Sequence, residues 1–163
     1  MTLKKLADNM DFLMGALASA LLLGALGIQY IGRYAPCELC ILQRWPLLGA
    51  AIVGLIGGFA VRGQSSIVRQ TIVTATILLV ALSGAIAVYH AGGEWKFWQL
   101  PQACTGPRFV LGAPADSNAY KIVECGKPAM ILWPGLSLAG YNALISLGSA
   151  ILAALIVRKA KKA

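Results

Sequence analysis

An all-α membrane protein, a four-helix transmembrane bundle with two exocytoplasmic loops, is the fold class that three observations on this chain predict. Four long stretches carry no charge, 58% of the 163 residues are hydrophobic, and only 12% are charged, where a soluble domain of this size carries about 25%. A bilayer core needs about 20 predominantly apolar residues per helix, so each stretch reads as one span. Residues 1–163 are read as a single integral membrane domain, with spans at about 12–31, 41–61, 71–89 and 134–157 and outer loops at 32–40 and 90–133.

The first span, Phe12 to Ile31, follows Lys4 and Lys5, and Ala18-Ser19-Ala20 has the small-x-small pattern of a signal cleavage site. The apolar run continues through Leu21 to Ile28, which predicts an uncleaved span. Where it stops stands Pro36-Cys37-Glu38-Leu39-Cys40. Trp45 to Val61 is the second run, long enough to span if Ile41 to Arg44 forms its opening turn. Trp45-Pro46 predicts a kink just below Arg44, because Pro46 cannot donate to the Leu42 carbonyl and pushes the residue before it away from α geometry. Thr71 to Tyr89 is the third run, closed by His90, and the pair Gly92-Gly93 argues that the helix stops short of Glu94, so that Glu94 does not pair with His90. An outer loop of about 40 residues follows, long enough that it is expected to be functional. The fourth run is Pro128 to Val157, with its helix expected to begin at Pro134-Gly135. Gly54-x-x-x-Gly58 and the small residues around Gly140 and Gly148 read as close-packing positions between helices.

Orientation follows from the basic residues. Both termini and the middle hairpin share one side, which holds Lys4, Lys5, Arg62, Arg69, Arg158, Lys159, Lys161 and Lys162 and is therefore read as cytoplasmic. All four cysteines then face the exocytoplasmic side, and Trp45, Trp95, Trp98 and Trp133 fall near that outer boundary. The net charge of +8 is explained by topology, with membrane lipid as the surroundings and no nucleic-acid partner for the basic tail.

The chemistry rests on two cysteine pairs. If the second helix starts near Pro36 or Cys37, then Cys37, Cys40, Ile41 and Arg44 fall at i, i+3, i+4 and i+7 on one face. A thiol at a helix N-terminus or beside an arginine has a lowered pKa, and the thiolate is the attacking form. Arg44 at the edge of hydrocarbon is costly without a partner or a task, although it could also snorkel to the interface. Cys104 and Cys125 bracket Gly106-Pro107, Gly112, Pro114 and Asp116-Ser117-Asn118, a stretch of turn signals. For this pair a structural staple, worth about 3 kcal/mol in the chain-entropy model, stands level with a redox role. The company of a CxxC favours redox. Zinc is the lesser alternative, since structural zinc takes closely spaced cysteine pairs and these two are far apart, so no metal is expected. His90, the single histidine, reads either as a boundary residue with its tip at headgroup level or as a site residue. No G-x-G-x-x-G or Cys-x-x-Cys-His motif for nucleotide, flavin or haem is present.

Pro-Cys-x-x-Cys-Ile-x-x-Arg at the head of the second of four spans, Tyr89-His90 closing the third, and a cysteine pair in the next outer loop resemble the DsbB family of membrane quinone reductases. His90-Ala91-Gly92-Gly93-Glu94-Trp95 and Leu138-Ala139-Gly140-Tyr141-Asn142 resemble its shorter-looped branch, while Glu38 inside the CxxC departs from the pattern. The resemblance implies an enzyme of the bacterial inner membrane, a protein-dithiol:quinone oxidoreductase. It implies that a soluble periplasmic DsbA-like partner attacks Cys104 and frees Cys125, that Cys125 attacks Cys37, and that Cys40 passes electrons to ubiquinone or menaquinone beside Arg44 and His90. A DsbA-like pair is already a strong oxidant at roughly −120 mV, so its electrons need an acceptor of higher potential, soluble in the bilayer. Two rival classes remain at this stage: a membrane scaffold with purely structural disulfides, and a quinone-epoxide reductase or a relay run in reverse, in which the CxxC falls late among the spans.

Overall fold

The structure, a computed structural model, describes residues 3–61, 66–101, 121–122, 124–128, 131–132 and 135–162. A short helix α1 (Leu3–Asp8) leads into α2 (Met10–Tyr30), then α3 (Glu38–Ala60), α4 (Ser66–Glu94) and α5 (Leu138–Lys162). Helices α2 to α5 are each long and apolar enough to cross a membrane, and the chain is a four-helix membrane bundle. Arg62, Cys104, Trp133 and Pro134, all invoked above, lie outside the described residues, as does most of the loop between the cysteines of the second pair.

Small residues let the helices approach. A Cβ on Gly54 of α3 would lie 2.6 Å from the Asp11 carbonyl oxygen and 2.8 Å from the Gly15 Cα of α2, and one on Gly58 would meet the Asp11 carboxyl at 2.6 Å. The GxxxG reading therefore holds for this seam, since only bare backbone fits there. Gly148 differs, because a Cβ there would meet nothing within 4 Å. The core is made by Met10, Met14, Ala18, Leu47, Ala50, Val73, Val80, Ala150 and Ala153, drawn from all four spans. Leu23, Ile56, Phe59, Leu78 and Ile151 point outward, as a lipid-facing surface requires.

Two departures from the sequence expectations concern proline and glycine. The α-helix runs unbroken from Glu38 to Ala51 through Pro46, and the departure from α geometry falls later, as a π-helical stretch at Ile52–Gly57. Helix α4 continues through Gly92-Gly93 to Glu94, so the expected stop is corrected. These glycines are seats rather than breakers. A Cβ on Gly92 would collide with the Trp98 ring, and one on Gly93 would lie 2.5 Å from both methyls of Leu100 and closer still to its Cγ. Trp98 stacks on Tyr89 with centroids 5.7 Å apart and donates from Nε1 to the Tyr89 carbonyl at 2.9 Å. The helix ends with Lys96 at φ 63° and the Phe97 N–H donating to the Gly92 carbonyl at 2.9 Å, a left-handed C-terminal cap that folds the chain back over the glycines.

The outer segments meet in two short pairings. β1 (Tyr34–Ala35) lies parallel to β2 (Lys121–Ile122), with Tyr34 opposite Lys121 and Ala35 opposite Ile122. β3 (Ile131–Leu132) pairs antiparallel with β4 (Leu136–Ser137), and Gly135 supplies the turn at φ 110°. Helix α5 starts at Leu138, just after this hairpin and not at Pro134-Gly135.

Candidate functional site

Cys37 is the N-cap of α3, with extended backbone angles, and its sulfur accepts the Cys40 N–H at 3.3 Å. One helical turn then places Cys40 directly beside it, and the Cys37 thiol donates to the Cys40 sulfur at 2.8 Å. The parallel β1–β2 pairing brings the third cysteine in. Cys37 follows β1 by two residues and Cys125 follows β2 by three, so both arrive at the same end of the ladder. Cys125 is fully buried against Cys37, Leu39, Cys40 and Leu100, and none of the three cysteines is in a disulfide. The neighbouring Cys125 thiol lowers the Cys37 pKa, but the Cys40 hydrogen bond and burial outweigh it and Cys37 is pushed up to about 12. A helix start by itself lowers a thiol pKa; at Cys37 the hydrogen bond to Cys40 and burial prevail. Cys37 keeps its proton and hands the hydrogen bond to Cys40, leaving Cys40 as the sulfur placed for negative charge.

Arg44, one turn below Cys40, acts electrostatically on that sulfur. It does not snorkel outward. Its guanidinium donates to the Gln29 side-chain oxygen and to the Ala25 carbonyl at 3.3 Å, both on α2, and its Nε is buried without a partner. His90 is only 2% exposed, so the headgroup-level reading is corrected. Its Nε2 lies 3.6 Å from the Cys37 sulfur and 3.7 Å from Glu94 Oε1, and its Nδ1 meets Gln43 Nε2 at 3.0 Å. The Glu94 contact corrects the expectation that the two stay apart, and it exists because α4 runs on through Gly92-Gly93. The donor atoms of Cys37, His90 and Cys125 all lie within 4.8 Å of one another.

A cleft of about 250 Å³ opens between α2, α3 and α5 below these groups. Cys40, Gln29, Gln43, Arg44, His90 and Asn142 form its polar end, and Leu21, Leu47 and Ile145 line its apolar body. Gly24 faces it with open space where a side chain would be. The sequence-predicted residues Cys37, Cys40, Arg44, Cys125 and His90 are therefore gathered at one place, and Cys104 lies outside the described residues. Sequence reasoning missed Gln29, Gln43, Ser83 and Asn142. Each is a polar side chain inside an apolar span, and the cost of such a group in a bilayer is the signal that marks it.

The family model described as Disulfide bond formation protein DsbB matches residues 8–156. Among curated proteins the chain is similar to Disulfide bond formation protein B 1 of Pseudomonas syringae pv. syringae, 35% identical over 133 residues, covering 79% of this chain and 67% of the relative. It is also similar to Disulfide bond formation protein B of Stutzerimonas stutzeri, 28% identical over 152 residues, covering 86% and 88%. No solved structure matches.

Proposed function

The chain belongs to the DsbB family, membrane oxidoreductases of disulfide bond formation, and on that premise we propose that it oxidises a periplasmic DsbA-like dithiol protein and passes the electrons through its two cysteine pairs to membrane quinone. The observation that carries this is the position of Cys37, whose sulfur meets Cys40 at 2.8 Å and hydrogen-bonds Cys125 as well. A sulfur in contact with two others is the junction that a relay by disulfide exchange needs.

In this reading the partner's thiolate attacks Cys104, and the Cys104–Cys125 bond breaks with its electron pair on Cys125. Cys125 then attacks Cys37 of the oxidised CxxC, and Cys40 leaves as the thiolate. Arg44 holds that charge, and the Gln29 and Ala25 oxygens hold Arg44. The cleft fits a quinone headgroup and the start of an isoprenoid tail: its walls are apolar, its polar end is at Cys40, and the unpartnered Arg44 Nε lacks an acceptor. Bound there beside Cys40, Arg44 and His90, ubiquinone or menaquinone would supply the two-electron acceptor. The positive-inside distribution supports a bacterial inner-membrane setting with both termini cytoplasmic and the cysteines periplasmic.

The test mixes the detergent-purified protein with a reduced DsbA-like protein and a soluble quinone, following quinone absorbance against partner thiol loss. Loss of two partner thiols for each quinone reduced, abolished by Cys37→Ser or Cys40→Ser, is expected. Cysteines that neither exchange with the partner nor support quinone reduction would return the scaffold reading.

A further inference from the structure

A buried chain of hydrogen bonds runs from α5 through α3 to His90, and its direction is fixed by one hydroxyl. Ser83 of α4 is fully buried, and its single proton is donated to the Gln43 main-chain carbonyl at 3.0 Å. Its oxygen therefore acts as the acceptor toward Asn142, which identifies the atom 3.2 Å away as the amide nitrogen. The same nitrogen donates to Gln43 Oε1 at 2.8 Å, while the Ser146 hydroxyl donates to Asn142 Oδ1 at 2.8 Å. Gln43 is left with its own amide nitrogen facing His90, and that nitrogen donates to Nδ1 at 3.0 Å. An amide nitrogen has protons and no lone pair to offer, so Nδ1 is bare and the neutral ring carries its proton on Nε2. The surroundings of Nε2 agree independently. Cys37 Sγ at 3.6 Å and Glu94 Oε1 at 3.7 Å are both acceptors, and the ring also hydrogen-bonds the Cys125 backbone.

We propose, resting on the relay described above, that Ser83, Asn142 and Gln43 are positioning residues which hold His90 as its Nε2–H tautomer and so aim that proton at the Cys37 sulfur. The imidazole then serves the exchange between the two cysteine pairs. Once the partner's second thiolate closes the partner's own disulfide and frees the Cys104 thiolate, that thiolate attacks Cys125 in the Cys37–Cys125 disulfide: the Cys104–Cys125 bond forms, the Cys37–Cys125 bond breaks, and the electron pair stays on Cys37. Nothing is oxidised or reduced overall. The Nε2–H remains on nitrogen and stabilises the departing charge. Cys37 has most to gain from such help, because a sulfur pushed up to about 12 leaves slowly.

His90 is the single histidine, so ring-labelled protein gives one unambiguous pair of nitrogen signals. The detergent-solubilised wild type is expected to show a bare Nδ1 and a protonated Nε2; the opposite pattern overturns the proposal without any variant. Asn142→Asp replaces a donor with an acceptor-only group, which turns the Gln43 amide over and moves the imidazole proton to Nδ1. Ser83→Ala, which removes only the pin, should give a mixture of the two tautomers. A wild-type ring pattern in both variants overturns the positioning role. For the sulfur, the Cys40→Ser, Cys104→Ser background leaves Cys37 and Cys125 to form one disulfide, and its reduction by dithiothreitol should slow about tenfold when Asn142→Asp is added. An unchanged rate with a moved proton would show that the N–H does not serve Cys37. Neither readout uses partner or quinone, so a failure here is separable from a failure of the oxidase reading.

Discussion

Replacing Gly93 by alanine tests whether the paired glycines are seats for the returning chain. The added Cβ would stand 2.5 Å from both Leu100 methyls and nearer to its Cγ, so rotating the end of the leucine does not clear it. Leu100 must leave its place, and Leu100 is packed against the buried cluster of Cys37, Leu39 and Cys125. Overpacking of this kind costs about 2 kcal/mol. Alanine gains about 1 kcal/mol over glycine inside a helix, leaving a net loss of about 1 kcal/mol, or a Tm lower by about 2–4 °C for a chain of this size. Thermal unfolding in detergent reads the stability, and alkylation of Cys125, fully buried in the native protein, reads the disturbed sulfur cluster. In a double-mutant cycle with Leu100→Ala, the pair of changes should cost less than the sum of the two, because the second removes what the first strikes. A Gly93→Ala protein as stable as the native one, with Cys125 still protected, would refute the packing argument and leave Gly92-Gly93 as a mere accident of propensity.

Other consequences can be measured separately. Mass-resolved alkylation of the reduced protein should label Cys40 well before Cys37 at neutral pH, with Cys37 labelling still rising at the most alkaline pH reached, because its thiol is pushed up to about 12; equal labelling at pH 7 would contradict this. Arg44→Lys keeps one charge but not the fork that reaches Gln29 and Ala25, so quinone reduction should fall about tenfold or more in kcat/KM. Gly24→Phe fills open space in the cleft and should lower quinone reduction more than it lowers thiol exchange with the partner. Gly54→Ala must separate two backbones and should unfold at lower temperature than Gly148→Ala, whose Cβ meets nothing; the reverse order would reject the α2–α3 seam.

The membrane helices were legible because hydrocarbon tolerates few charges, and four uncharged runs leave little choice. The CxxC with Arg44 was legible for a local reason: one helical turn sets its geometry. What lay beyond reach was non-local. Nothing near Cys125 announces that two residues of backbone, Lys121–Ile122, will pair with Tyr34–Ala35 and carry it to Cys37. Gly92-Gly93 misled because a glycine's weak helix propensity was visible and the Trp98 and Leu100 side chains that need the vacant space were not. Gln43 and Asn142 sit 99 residues apart and meet only in the folded bundle.

The parallel β1–β2 pairing matters for concentration as much as for geometry. Two residues per strand make too small a ladder to persist by itself, so in the proposed relay it works as a tether that turns attack between loops into an intramolecular event. A sulfur held by a short tether meets its target at an effective concentration of millimolar or more, well above what a protein thiol in solution reaches. The weakness of the ladder keeps that advantage reversible. Cys125 gains priority at Cys37 over any competing thiol from outside, yet few backbone bonds must open before it turns to another partner.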